Sequence, residues 1–313
     1  MTAVLGHIRR AGAGGAASRF GHAVDGAPAW SLAVLAMLSV QVGSALSTSL
    51  FSIVGTAGTA WLRLMAAAVV FVAVGRPRLR SRTRSEMAVA VALGVITGAM
   101  SVCFLSAIDR IPLGTAVAIE YLGPFSVAVA GTRRIRSLAW PILAIAGVLS
   151  LTEPWTGAVD TVGILWAVSS AVCWALYIVL TARVGGTFDG VDGLAVTFPI
   201  AAIATTAIGV PQVAGNLTWQ VVAAVAGIAL IMPVLPMALE MQALRRLPTS
   251  TFGVLMALAP AIGTAVGLVV LAQAPTGIRL AGTGLVVLAG IGASRAARSA
   301  PGRHAPPIAA SIG

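Results

Sequence analysis

Charge is scarce in this chain. Only 9% of its 313 residues are charged, against about 25% in typical soluble domains. Hydrophobic residues make up 58% and the mean hydropathy is +0.98, more apolar material than a soluble core can use, so an integral membrane protein is expected. Lysine is absent: all 20 basic residues are arginine. Aromatics amount to 5%, which fits a small polar cargo better than one held by stacking. The three histidines, His7, His22 and His304, lie in the polar ends. This excludes an intramembrane histidine base or histidine metal site, and no cofactor is expected. The two cysteines, Cys103 and Cys173, fall in apolar stretches and read as small buried hydrophobes rather than a disulfide. No apolar run precedes the first long hydrophobic stretch, so residues 1–29 read as a basic cytoplasmic tail, not a cleaved leader.

What remains is a succession of apolar runs. A helix crossing a bilayer needs about 20 largely apolar residues. Candidates lie at 30–53, 56–75, 87–108, 112–131, 138–152, 160–182, 193–210, 219–242, 248–271 and 277–294, the fifth short and holding Pro141. Arginines collect in alternate connections: Arg9, Arg10 and Arg19, then Arg76 to Arg84, Arg133 to Arg136, Arg183, Arg245 and Arg246, and Arg295 to Arg303. The opposite connections hold Arg110 and Arg279 alone. Cytoplasmic loops carry the excess of arginine, so both termini are expected in the cytoplasm, which requires an even number of spans. The net charge of +11 thus belongs to loops at a membrane face, and no nucleic-acid partner is expected.

The stretch AIDRIPLGTAVAIEYLGP (107–124) realigns with ALRRLPTSTFGVLMALAP (243–260) 136 residues on, both spaced Arg-x-Pro-x11-Pro. An offset of five spans reverses the orientation. The fold class expected is therefore all-α and membrane-embedded, with ten helices in two inverted five-helix repeats, 30–152 and 160–294. A polar tail without fixed structure, 295–313, follows. Inverted repeats are an architecture of transporters, with the substrate site near the midplane between them.

Three formal charges fall well within spans: Arg63, Glu120 and Glu240. Each costs roughly 2.5–3.5 kcal/mol at a helix centre, enough to need a partner, water or a substrate. Arg63 and Glu120 each sit about eight residues from the outer face, roughly 12 Å deep. They could meet across a central cavity or form a structural ion pair. Glu240 is near a cytoplasmic helix end, where it could snorkel outward or pair with Arg245 or Arg246. Tyr121 adjoins Glu120 and is a candidate for contact with the substrate, with packing as the alternative. Pro124 cannot donate to the carbonyl of Glu120. Pro260 does the same to Met256, Pro233 and Pro236 to Ala229 and Met232, and Pro199 to Ala195. Pro124, Pro233, Pro236 and Pro260 are read as helix breaks and gating points. Such freed carbonyls must face protein or a wet cavity. Asp109 and Arg110 read as a solvated turn. Gly94-x-x-x-Gly98 and Gly263-x-x-x-Gly267 allow close helix approach, read first as internal packing, with a homodimer face as the alternative.

These residues resemble the drug/metabolite transporter superfamily, EamA type, and within it the threonine/homoserine exporter group. The similar stretches are AGTAWLRLMAAAVVFVAVGRPR, IDRIPLGTAVAIEYLGPFSVAV and LPMALEMQALRRLPTSTFGVLMALAPAIGTAVGLVVL. The resemblance implies ten helices, a central cavity and export of small amino acids or related metabolites across the inner membrane, with protons as the coupling ion. It implies a functional role for Arg63, Glu120 and Glu240. In the expected cycle Arg63 takes the substrate carboxylate, and Glu120 takes the ammonium or a proton from outside. A drug, nucleotide-sugar or lipid-linked metabolite carrier on the same scaffold is the alternative. A membrane enzyme is disfavoured. One departure stands out: relatives commonly have Gly-Glu where this chain has Ala272-Gln273, and a glutamate that titrates in transport would be missing here.

Overall fold

A computed structural model describes residues 28–75, 83–130, 139–156, 160–184 and 191–298. Most of the arginines that orient the chain lie outside the described residues, as do 1–27 and 299–313 of the expected tails; residues 295–298 continue the last helix instead of opening a tail without fixed structure. Among the described residues there is no strand; the chain is a bundle of helices. These are α1 (Ala29–Ser47), α2 (Phe51–Gly75), α3 (Arg84–Ile108), α4 (Leu113–Glu120), α5 (Leu122–Ala130), α6 (Ala139–Thr152), α7 (Thr161–Val184), α8 (Val191–Val213), α9 (Trp219–Ala229), α10 (Leu235–Arg246), α11 (Thr249–Met256), α12 (Ala259–Leu271) and α13 (Gly277–Arg298).

Seven helical stretches among the described residues are long and apolar enough to cross a membrane, and Leu113–Val127 is a shorter apolar one. The number differs from ten for a local reason. Residues 29–75 run on as one helical stretch bent at Gly55. The stretch from Leu113 is interrupted at Tyr121, and α6 is only 14 residues long. The outside of the bundle is greasy: Val269 is 81% exposed, Ile203 72% and Ile142 68%. Water would penalise those surfaces, and a bilayer does not.

With no gain from burying one apolar side chain against another in lipid, helices associate by close packing of small residues. The core is accordingly rich in alanine. Ala33, Ala36, Ala67, Ala107, Ala116, Ala201 and Ala243 are fully buried. Gly94 and Gly98 press on Ile200 and Thr205 of α8, and Gly263 lies against Val117 of α4. Both Gly-x-x-x-Gly faces are thus occupied inside the chain. Gly55 is required twice over. Its φ is +65°, and a Cβ there would stand 2.2 Å from the Gln212 side-chain oxygen, which accepts from the Gly58 amide at 3.0 Å.

The extensive packing joins the two halves of the chain. Helix α2 lies along α8, α3 along α7 and α8, α6 along α13, α1 along α10 and α12, and α4 along α12 and α7. At the end of the bundle where α4 begins, polar ties also link the halves. Arg110 Nε meets the Asp160 carboxylate at 3.1 Å, so Arg110 is more than a solvated turn. The Asp160 carboxyl is held below its ordinary range, first by the Gly163 amide and then by Arg110. Arg279 Nε stands 2.8 Å from Glu153 Oε2, and Thr276 donates to Glu153 Oε1 at 3.0 Å. Gln273 Oε1 accepts from the Leu113 amide at 3.0 Å, satisfying one orphan donor of the α4 N-terminus.

Candidate functional site

Proline sets the site. Helix α4 stops at Glu120 and α5 starts at Leu122, the break expected from Pro124. Helix α11 stops at Met256 and α12 starts at Ala259, the break expected from Pro260. Both α4 and α11 are eight residues long, start after a proline, and have bounds 136 residues apart at each end (113 to 249, 120 to 256). Between α9 and α10 the chain passes through a wide turn at Leu230–Val234 that contains Pro233, with Met232 in an extended conformation. The carbonyl that gains a new partner belongs to Ile231, and the Ser39 hydroxyl of α1 donates to it. Pro199 breaks nothing: α8 runs continuously through it, because one lost hydrogen bond is tolerated within a well-packed helix.

Around these breaks lies a cavity of about 130 Å³. Liquid water takes about 30 Å³ per molecule, so it has room for a few waters or one small solute. Arg63, Glu120, Tyr121, Glu240, Pro233 and Pro236 all line it. Arg63 and Glu120 do share the space, and they are not an ion pair. Arg63 is 8% exposed; its Nη1 donates to Ser47 Oγ at 3.0 Å, and its Nε has no partner. Glu120 accepts a short hydrogen bond from Ser170 of α7. Glu240 neither snorkels nor pairs with Arg245 or Arg246. It is 7% exposed, lines the cavity, and has no hydrogen bond or ion pair with another described residue. The turn at Leu230–Val234 and the helix after it present this carboxylate inward.

Pro124 and Pro260 line a second chamber of about 120 Å³, with Phe125, Phe252 and Gly290. Tyr121, Trp174, Glu240 and Met256 line both chambers. Tyr121 and Trp174 meet edge to face, with ring centres 4.7 Å apart and planes at 81°. The two spaces therefore share a wall of two aromatics set edge to face, one carboxylate and one thioether.

The wall of the first cavity also holds residues that sequence reasoning passed over. Gln41 of α1 is 2% exposed and its carbonyl oxygen has no partner; the indole N–H of Trp174 is likewise unpartnered. A buried polar group left unmatched costs about 1–3 kcal/mol. The available signal was a lone amide in the apolar stretch 30–53, since polar side chains inside a membrane tend to mark pathways. Cys103 and Cys173 are both free thiols, as read. No group of three or more histidine, cysteine or acidic residues that could hold a metal exists among the described residues.

Comparison with known proteins adds to this geometry. The model of the EamA-like transporter family matches residues 161–295. The Threonine/homoserine exporter RhtA of Escherichia coli is 34% identical over 278 residues, covering 87% of this chain and 94% of that protein. Its namesake from Salmonella typhimurium is 35% identical over 272 residues, covering 86% and 92%. A protein crystal structure that is 19% identical superposes with a TM-score of 0.53, over 85% of this chain and 98% of that one; the likeness is one of fold.

Proposed function

We infer the function from one premise: this chain belongs to the EamA-like transporter family. It is an exporter of small hydroxylated amino acids of the threonine and homoserine kind, lying in the inner membrane with both termini in the cytoplasm. Ten spans form two inverted repeats. Taking α1 and α2 as separate crossings divided near Gly55, α4–α5 as one and α6 as one supports that number. The matched bounds of α4 and α11 support the repeat.

The observation that carries this reading is one cavity with a guanidinium and two carboxylates in its wall, none paired with another. Opposite charges facing a shared space without neutralising each other suit a zwitterion. The substrate carboxylate lies on the free side of the Arg63 fork, where a bidentate contact is strong and directional. Its ammonium lies against Glu120, whose other oxygen remains open beside the Ser170 contact, and against Glu240. A proton arriving from outside competes with the ammonium for Glu120, and that competition is antiport. The chamber lined by Pro124 and Pro260 is the inner vestibule, and the Tyr121–Trp174 wall is the gate between the two. The ties Arg110–Asp160, Arg279–Glu153 and Gln273–Leu113 close the outer end. In that role Gln273 keeps the helix-capping duty of the missing glutamate and no titration is needed of it.

The test is counterflow in proteoliposomes holding purified protein, with labelled threonine, homoserine and other small metabolites side by side. Threonine or homoserine is expected to exchange, and an imposed proton gradient is expected to drive net flux. Glu120→Gln is expected to abolish that dependence. Gradient-driven transport unchanged in Glu120→Gln removes Glu120 from the scheme.

A further inference from the structure

The central cavity contains more polar groups than a bare zwitterion needs. Arg63 answers a carboxylate; Glu120 and Glu240 answer an ammonium. Gln41 then stands over, a neutral amide 2% exposed with an unmatched carbonyl oxygen, projecting from α1 toward α12 beside Gly263. The Trp174 N–H is unmatched in the same wall. Nothing else among the described residues relieves either group.

We propose that Gln41 is the specificity residue of the transporter: its amide hydrogen-bonds the side-chain hydroxyl of the substrate. The assignment rests on the amino-acid reading above and deepens it. A hydroxyl both donates and accepts, so it satisfies the amide whichever way the amide is turned. The ammonium does not take this place, because two carboxylates line the same cavity and hydrogen bonds to charged acceptors are the stronger ones. An aliphatic side chain of the same shape leaves Gln41 unmatched and also strips water from it. Sites built around such a polar partner reject the analogue that lacks it far more strongly than apolar pockets discriminate by size. The orphan N–H of Trp174 supplies a donor for the remaining lone pairs of the ligand. It sits at the gate, so the wall between chambers also senses whether a hydroxylated substrate is present.

Threonine and valine differ by a hydroxyl exchanged for a methyl and are nearly the same shape, which makes them the probes. Labelled-threonine counterflow is measured in proteoliposomes of the full chain, with unlabelled threonine, valine, serine and alanine as competitors. In the unaltered protein valine is expected to compete about 100-fold less well than threonine, or worse. In Gln41→Leu and in Gln41→Met, which keeps the length of the side chain, that ratio is expected to fall about tenfold or more. The serine-to-alanine ratio should fall with it. An unchanged threonine-to-valine ratio in both variants overturns the proposal, whatever happens to the rate. Loss of competition by alanine together with threonine also overturns it, since Gln41 would then serve every substrate alike. Failure of the unaltered protein to exchange threonine and homoserine is a separate result: it removes the substrate class, and this assignment with it.

Discussion

Replacing Arg63 by lysine separates charge from geometry at the cavity. The guanidinium presents five donors in a planar fork. In the structure one nitrogen is spent on Ser47 Oγ at 3.0 Å and Nε has no partner, so a face of the fork remains for a carboxylate. Lysine keeps the positive charge near Glu120 and Glu240 but offers a point-like ammonium on a flexible stem. One hydrogen bond of a charged pair is lost on substrate binding, about 1.5–3 kcal/mol. Every 1.4 kcal/mol is tenfold, so half-saturation for threonine counterflow should rise about 10- to 100-fold. The melting temperature in detergent should change little, since lysine can still donate to Ser47. The assay is a concentration series of labelled threonine in proteoliposomes matched for protein. A half-saturation within threefold of the parent, at any maximal rate, refutes a bidentate contact at this position.

Further outcomes follow from local geometry. Gly55→Ala forces an L side chain to φ +65° and into the Gln212 oxygen; backbone strain of this kind costs about 1–3 kcal/mol and the Gln212–Gly58 bond goes with it, so a clear drop in melting temperature is expected. Ala272→Gly acts in the opposite sense: Ala272 has φ +54° at the end of α12, and relief of that conformation should stabilise by about 1 kcal/mol, read as a higher melting temperature with unaltered counterflow. Asp160 has a lowered folded-state pKa, so its contribution is complete above the unfolded value of about 3.9 and is lost as pH falls through the folded one. Asp160→Asn should therefore flatten the acid side of the melting profile below about pH 4, and an identical acid slope there counts against it.

Length and polarity made the membrane class plain, because no soluble packing uses 58% hydrophobic residues. Proline positions gave two of the helix breaks to the residue, since the missing N–H names the carbonyl it frees. They say nothing of the Ile231 carbonyl, whose partner hydroxyl comes from Ser39, 192 residues away in sequence. Pro199, read only as freeing the Ala195 carbonyl, leaves α8 continuous, packed against α2 and α3. Equal depth brought Arg63 and Glu120 to one cavity correctly. Depth alone misjudged Glu240, which reads as near an interface until the turn at Leu230–Val234 is known to alter the course of α10. Gln41, marked only as a lone amide in an apolar run, and Ser170 and Trp174 were missed for a different reason. Each is an ordinary residue until a neighbour distant in the chain leaves it matched or unmatched. The ties of Arg110 to Asp160 and Arg279 to Glu153 span 50 and 126 positions, which no local pattern encodes.

The interleaving of the two halves has a consequence for biogenesis. Helix α2 finds its main neighbour, α8, about 140 residues later in the chain. At about 5–20 residues per second of synthesis, the early helices wait on the order of ten seconds or more in the bilayer. During that time Arg63 has Ser47 of α1, and Glu120 gains Ser170 after a further 50 residues, but the cavity wall that Glu240 and Pro236 complete is still missing. Quality-control proteases of the membrane would meet the nascent chain at that stage, so a ribosome stalled before α8 should leave a product that is degraded and does not accumulate.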